Sequence, residues 1–174
     1  EMVDVGTQVS GTLKEIYVDY NSRVTKGQLV AMLDTDMLQS RVDEVKASLA
    51  LAQARVTSAK ASAADADRTF RRNKELWSRN LIARSELDAA ETKLSLARAS
   101  LAEHNAQVVQ AKASLKQAET SLGYARIVSP VDGVVIARKV DVGQTVAASL
   151  QTPTLFSIAR DLTRMQIEAS VDEA

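Results

Sequence analysis

The two stretches DMLQSRVDEVKASLALAQARVTSAKASAADADRTFRRNKELW, residues 36–77, and LDAAETKLSLARASLAEHNAQVVQAKASLKQAETSLGYA, residues 87–125, decide the fold. In the first, Leu38, Val42, Val45, Leu49, Ala52, Val56, Ala59, Ala63, Ala66, Phe70, Asn73 and Trp77 recur at alternating steps of four and three, and only Asn73 is polar. In the second, Leu87, Ala90, Leu94, Ala97, Leu101, His104, Val108, Ala111, Leu115, Ala118, Leu122 and Ala125 do the same, broken only by His104. Neither contains proline. An apolar repeat of 3.5 residues sustained over about five heptads marks a coiled-coil seam, not an ordinary amphipathic helix.

The seams complement each other if the chain reverses near Leu81 and Ile82. Trp77 then meets Leu87, Phe70 meets Leu94, Ala63 meets Leu101, Ala59 meets His104, Val56 meets Val108 and Leu49 meets Leu115, often large against small, as interdigitating layers require. The expectation is an antiparallel hairpin with arms of roughly 40 residues, about 60 Å long at the helical rise. Its tip falls at about residues 77–84. Asn80 suits the turn, and Ser85 with Asp88 has the pattern of an N-cap with an acid at the third helical position. Leu76, Trp77, Leu81 and Ile82 concentrate apolar surface there. Trp77 with Leu87 reads as a plug closing the hairpin's end, whereas Leu76 with Arg72 reads equally as an exposed docking patch.

Composition bounds the rest. The chain has 174 residues, no cysteine, 3% aromatics, and 22 basic against 22 acidic residues. Zero net charge gives no argument for a nucleic-acid partner or an acidic membrane surface. The absence of cysteine excludes disulfides and thiolate metal sites. Neither a signal sequence nor a run of 18 apolar residues is present. His104 has no ligand set around it and reads as a seam residue facing Ala59. A band of small residues beside the seam, Ala47, Ala50, Ala54, Ala61 and Ala64, suits both close lateral packing of hairpins and plain helix formation. The outer face carries solvated charges such as Arg41, Glu44 and Lys46.

On either side of the hairpin the pattern changes to short strands. Val9, Leu13, Ile16, Val18, Val24, Leu29, Val30, Met32 and Leu33 are punctuated by Gly6, Gly11, Asn21 and Gly27. Asp34 or Asp36 then caps the first helix, and Gly123 suits the end of the second, with strands resuming at Ile127. Gly11, Val18-Asp19-Tyr20-Asn21 and Val24 recur as Gly133, Val140-Asp141-Val142-Gly143 and Val146 at a constant offset of 122. Two half-motifs of one small β module therefore flank an inserted hairpin.

These residues carry a resemblance. Val9-Ser10-Gly11, Val24-Thr25-Lys26-Gly27-Gln28-Leu29-Val30 and Leu33-Asp34 resemble the first half of a lipoyl or biotinyl carrier domain. Ala125 to Val135, followed by Val142-Gly143-Gln144-Thr145-Val146, resembles the second half as found in periplasmic adaptors, the HlyD-like membrane fusion proteins. The stretches Val5–Lys14 and Ala148–Pro153 are most similar to the macrolide-export branch of that family. The implied architecture is α+β: a lipoyl-like β-sandwich (residues 1–35 and 126–160), a helical hairpin (36–125), and in residues 161–174 the first strand of a truncated β-barrel domain.

The function implied is non-enzymatic. Such a chain is a periplasmic adaptor of a tripartite efflux pump, anchored to the inner membrane by a preceding segment outside this sequence. It forms a homo-oligomeric ring, expected to be hexameric, between an inner-membrane transporter, favoured as ABC type, and a TolC-like outer-membrane channel. Adaptors of proton-driven RND or MFS pumps, or of type I protein secretion, stand as alternatives. A carrier role is disfavoured because Met37 occupies the place of the modified lysine, leaving no amine for lipoate or biotin; no cofactor is expected. Channel docking in this family uses an arginine, a leucine four residues on and a serine seven beyond. Arg72 and Leu76 match, but Ala83 stands at the third place, with Ser85 the nearest hydroxyl. Gln151 is the nearest match to a pore-narrowing glutamine of the macrolide branch.

Overall fold

The computed structural model describes residues 2–148 and 153–160. Gln151 and the strand expected within residues 161–174 lie outside the described residues. Ten elements follow in chain order: β1 (Met2–Gly6), β2 (Gly11–Ile16), β3 (Arg23–Val24), β4 (Leu29–Leu33), α1 (Asp36–Ser78), α2 (Arg84–Tyr124), β5 (Arg126–Val128), β6 (Gly133–Arg138), β7 (Thr145–Val146) and β8 (Thr154–Ala159). They divide into two compact units, one of residues 1–39 with 120–174 and one of residues 40–119.

The first unit holds two four-stranded sheets, ordered β1-β8-β6-β3 and β5-β4-β2-β7. Each is the image of the other. Gly11 pairs with Val146 and Thr12 with Thr145; shifted by 122 residues and exchanged, these become the observed pairs Gly133 with Val24 and Val134 with Arg23. The bulge that skips Lys14 between Leu13 and Glu15 recurs at Ile136, between Val135 and Ala137. Only β4 and β8 are related by a longer offset, 125, as from Leu33 to Ile158 and Ala31 to Phe156. The three additional residues fall between β7 and β8.

The core follows the same rule. Seven buried pairs are pseudo-symmetric mates: Val5 with Ile127, Leu13 with Val135, Val18 with Val140, Val24 with Val146, Val30 with Leu155, Ala31 with Phe156, and Leu33 with Ile158. The Thr7 hydroxyl donates to the Val9 carbonyl at 2.8 Å, and its mate Ser129 donates to Val131 at 2.6 Å. Both are almost fully buried, so each hydroxyl needs the partner it has. The turns match as well. Asn21 and Gly143 both have left-handed backbone, φ 64° and 86°, where asparagine and glycine bear the least steric cost. Their N–H groups donate to the carbonyls of Val135 and Leu13, in both cases at 2.8 Å.

In the second unit, the seam positions of α1 from Val42 to Asn73 are buried or half-buried, as are those of α2 from Leu87 to Ala118. Contacts across the arms run in opposite senses. Asn73 Nδ2 donates to the Glu86 carbonyl at 3.4 Å, Asp67 takes Arg98 at 3.0 Å, and Val45 and Ala52 share an open groove with Gln107, Ala111 and Ser114. As one partner moves back along α1, the other moves forward along α2, so the arms are antiparallel. His104 is half-buried in the seam with Nδ1 3.2 Å from Gln107 Oε1. No cluster able to hold a metal ion occurs among the described residues. Nor is any of their helices long and apolar enough to cross a membrane.

Three local expectations need correction. Helix α2 begins at Arg84, not after Ser85, so Ala83 is the N-cap residue and offers only its backbone carbonyl, 3.1 Å from the Glu86 N–H. Gly123 does not end α2, which runs on to Tyr124. The chain leaves the helix where the Ala125 carbonyl must accept the Leu33 N–H at 2.9 Å, a demand of the sheet and not of the helix. Trp77 is not a buried plug: it is 39% exposed. At the other end the Asp34 carboxylate accepts the Asp36 N–H at 2.9 Å, capping α1 as expected, and Met37 projects from its first turn, 83% exposed.

Candidate functional site at the hairpin tip

The turn between α1 and α2 is built by the end of α1. The Leu81 N–H reaches back to the Leu76 carbonyl at 2.9 Å and the Asn80 N–H to the Trp77 carbonyl at 2.9 Å, with Asn80 left-handed at φ 58°. This is the Schellman arrangement: two orphan carbonyls are satisfied, and a residue tolerant of positive φ sits where the helix must stop. It leaves Leu81 64% exposed, while Leu76 and Ile82 are half-buried.

Charges around the tip are mostly neutralised locally. Arg68 pairs with Asp65 at 3.1 Å, Arg71 with Asp67 at 2.7 Å, Arg79 with Glu75 at 2.6 Å and Arg84 with Asp88 at 2.9 Å. Arg72 is the exception among these arginines. It is exposed and has no hydrogen bond or ion pair among the described residues, one helical turn from Leu76. An unpaired guanidinium keeps all its donors for a partner.

Ala83 and Ser85 are exposed on the far side of the turn, at the start of α2. Thus Arg72 and Leu76 lie at the end of one arm and Ala83 and Ser85 at the start of the other. Arg84 lies between the latter two, and its guanidinium sits over the Trp77 ring, 5.2 Å from the centroid. Sequence reasoning missed this contact. Its only signal, an arginine seven residues after the one tryptophan, means nothing until the turn geometry is known.

Residues 1–157 match the family described as RND MFP, barrel-sandwich hybrid domain. The chain belongs to this family of membrane fusion proteins. It is 39% identical to the macrolide export protein MacA of Yersinia pestis over 99% of this chain and 46% of that protein. It is 41% identical to the pyoverdine export membrane fusion protein PvdR of Pseudomonas putida, over 99% of this chain and 44% of the relative. Among solved structures, MacA from Actinobacillus actinomycetemcomitans superposes with a TM-score of 0.88 at 34% identity, covering 93% of this chain and 50% of the other. This membrane fusion protein chain therefore spans about half the length of the relatives it matches. Its interrupted β module and paired helices are the family's architecture.

Proposed function

We propose that the chain is the hairpin and β-module portion of a non-enzymatic periplasmic adaptor. The adaptor joins an inner-membrane ABC transporter to a TolC-like outer-membrane channel in a pump exporting drugs, siderophore-like molecules or other small compounds. Copies stand side by side in a ring, expected to be hexameric, and the hairpin tips meet the channel. Support comes from relatives named for macrolide and pyoverdine export, aligned over nearly all of this chain. The observation that carries the docking role is Arg72. It is exposed and unpaired beside Leu76, among arginines that are each held by a carboxylate.

The test is Leu76→Asp in the full-length protein. Export or drug resistance in cells is expected to fall to the level of a strain lacking the adaptor, with helix content unchanged in the purified protein. Wild-type export from that variant refutes docking through Leu76. The family's own description names RND systems, which supports a second reading in which the transporter is a proton-driven pump. Isolation of full-length protein with its membrane partners separates the two: co-purification of an ATP-binding subunit favours the first, and of an RND subunit the second.

A further inference from the structure

We propose that Trp77 and Arg84 form an external brace that holds the two halves of the docking face in register, so that both are positioning residues for docking; this rests on the docking reading above. Trp77 occupies the last seam position of α1, yet the residue is 39% exposed instead of being buried between the arms. What covers it is the Arg84 guanidinium from the first turn of α2, at 5.2 Å, itself tethered by Nε to Asp88 Oδ1 at 2.9 Å. A cation held over an indole face is attracted by the ring quadrupole. The tether fixes that cation from its own helix.

The geometry gives the brace a task. The backbone of Trp77 belongs to the turn, because its carbonyl takes the Asn80 N–H at 2.9 Å while the adjacent Leu76 carbonyl takes Leu81 at 2.9 Å. Arg84 is bonded to both Ala83 and Ser85. One side-chain contact therefore links Arg72 and Leu76, on the end of α1, to the exposed surface that opens α2. Without it, the side-chain hydrogen bond across the arms nearest the turn is the long Asn73–Glu86 contact at 3.4 Å, with the apolar seam and the Asp67–Arg98 pair further from the tip. Being solvent-exposed, the contact contributes little to folding, and its effect is on orientation.

The chain has a single tryptophan, which provides a direct readout. In the full-length protein, with any tryptophan outside these 174 residues replaced by phenylalanine, Arg84→Gln is expected to lower the fluorescence anisotropy of Trp77 and increase its quenching by acrylamide, with helix content and melting temperature unchanged; Arg84→Lys, which keeps a cation over the ring, restores both. Docking is then measured as binding to the purified outer-membrane channel for Arg84→Gln, Trp77→Leu and the double variant. A brace predicts that each single change weakens binding about ten-fold and that the double change weakens it no further, because either one removes the same contact. Losses that multiply, to about a hundred-fold, mean independent contacts with the channel and overturn the brace, as does wild-type anisotropy in Arg84→Gln. Leu76→Asp serves as the separate control. If it binds like wild type, the docking reading itself falls, and the brace with it. If it loses binding while Arg84→Gln and Trp77→Leu do not, only the brace falls.

Discussion

Gly11 and Gly133 are pseudo-symmetric mates, yet the same substitution should have opposite effects at the two. A Cβ built on Gly133 would lie 2.3 Å from the Ala159 carbonyl oxygen, 2.9 Å from Ile158 Cγ2 and 3.0 Å from the Ala159 carbonyl carbon. Neither neighbour can yield cheaply. Ala159 is paired on both sides, to Met2 in β1 and Val134 in β6, and Ile158 is fully buried. Relieving an overlap of about 1 Å against paired backbone places Gly133→Ala at the upper end of overpacking costs, about 3 kcal/mol. For a unit of this size that corresponds to a fall in Tm of more than about 10 °C. At Gly11 the same Cβ would meet only Leu33 Cβ and Cδ1, both at the ordinary distance of 3.6 Å. Gly11→Ala should therefore be neutral or stabilising by up to about 1 kcal/mol, through the reduced freedom of the unfolded chain. The tyrosines, Tyr17, Tyr20 and Tyr124, all lie in the β unit, and the tryptophan lies in the hairpin. Thermal unfolding followed by the near-UV tyrosine signal thus isolates the unit in question. A Gly133→Ala protein melting within a degree or two of wild type, or a Gly11→Ala protein falling as far as its mate, would refute the reasoning.

Two further outcomes are expected. Asp67, whose side chain is 24% exposed, holds both Arg71 on its own helix and Arg98 on the opposite arm; Asp67→Asn should cost about 1 kcal/mol in denaturant unfolding followed by Trp77 fluorescence, less at high salt because both arginines are mainly exposed, and about half as much when Arg98 is already methionine, because only the pair with Arg71 is then lost. The Tyr17 hydroxyl donates to a Glu15 carboxylate oxygen at 2.5 Å, and this bond, then burial, then the Glu15 charge raise its pKa while Arg126 opposes them; the stabilisation is present below the unfolded tyrosine pKa and is lost as pH rises through the higher folded value, so Glu15→Gln should move the tyrosinate absorbance step of Tyr17 to lower pH, and an unmoved step contradicts the assignment.

How much could be read beforehand depended on whether the determining interaction is periodic. The seam was legible because each buried layer recurs every three or four residues, and Asn80 because few residues accept positive φ where a helix must stop. The repeat at offset 122 was legible where both copies use the same residue type, as Gly11 and Gly133 or Val24 and Val146 do. It was invisible where different side chains do the same work, as with Thr7 and Ser129. It was lost for β4 and β8, because three additional residues displace the register to 125. Gly123 and Ser85 misled because local capping preference was weighed alone. The sheet's claim on the Ala125 carbonyl overrode the first, and a backbone bond from Glu86 to Ala83 stood in for a side-chain cap at the second. At the tip, Arg72 and Leu76 came from a family pattern. That Arg72 stands unpaired where its neighbours Arg68, Arg71, Arg79 and Arg84 are held, and that Arg84 covers Trp77, depends on where the folded arms and turn put the carboxylates and the ring.

The pseudo-symmetry also explains how a small module tolerates an insertion of about ninety residues. The chain leaves at the end of β4 and returns at β5, and these are antiparallel neighbours in one sheet, joined by Leu29–Val128, Ala31–Ile127 and Met32–Arg126. The symmetry mates of β4 and β5 are β8 and β1, again antiparallel neighbours and the last and first strands among the described residues. The β4–β5 pair thus presents two chain ends side by side, the arrangement an antiparallel hairpin requires of its root. The arms can therefore lengthen or shorten by whole heptads without changing these pairings, whereas a one-residue change inside β5 would turn Ile127 out of the core.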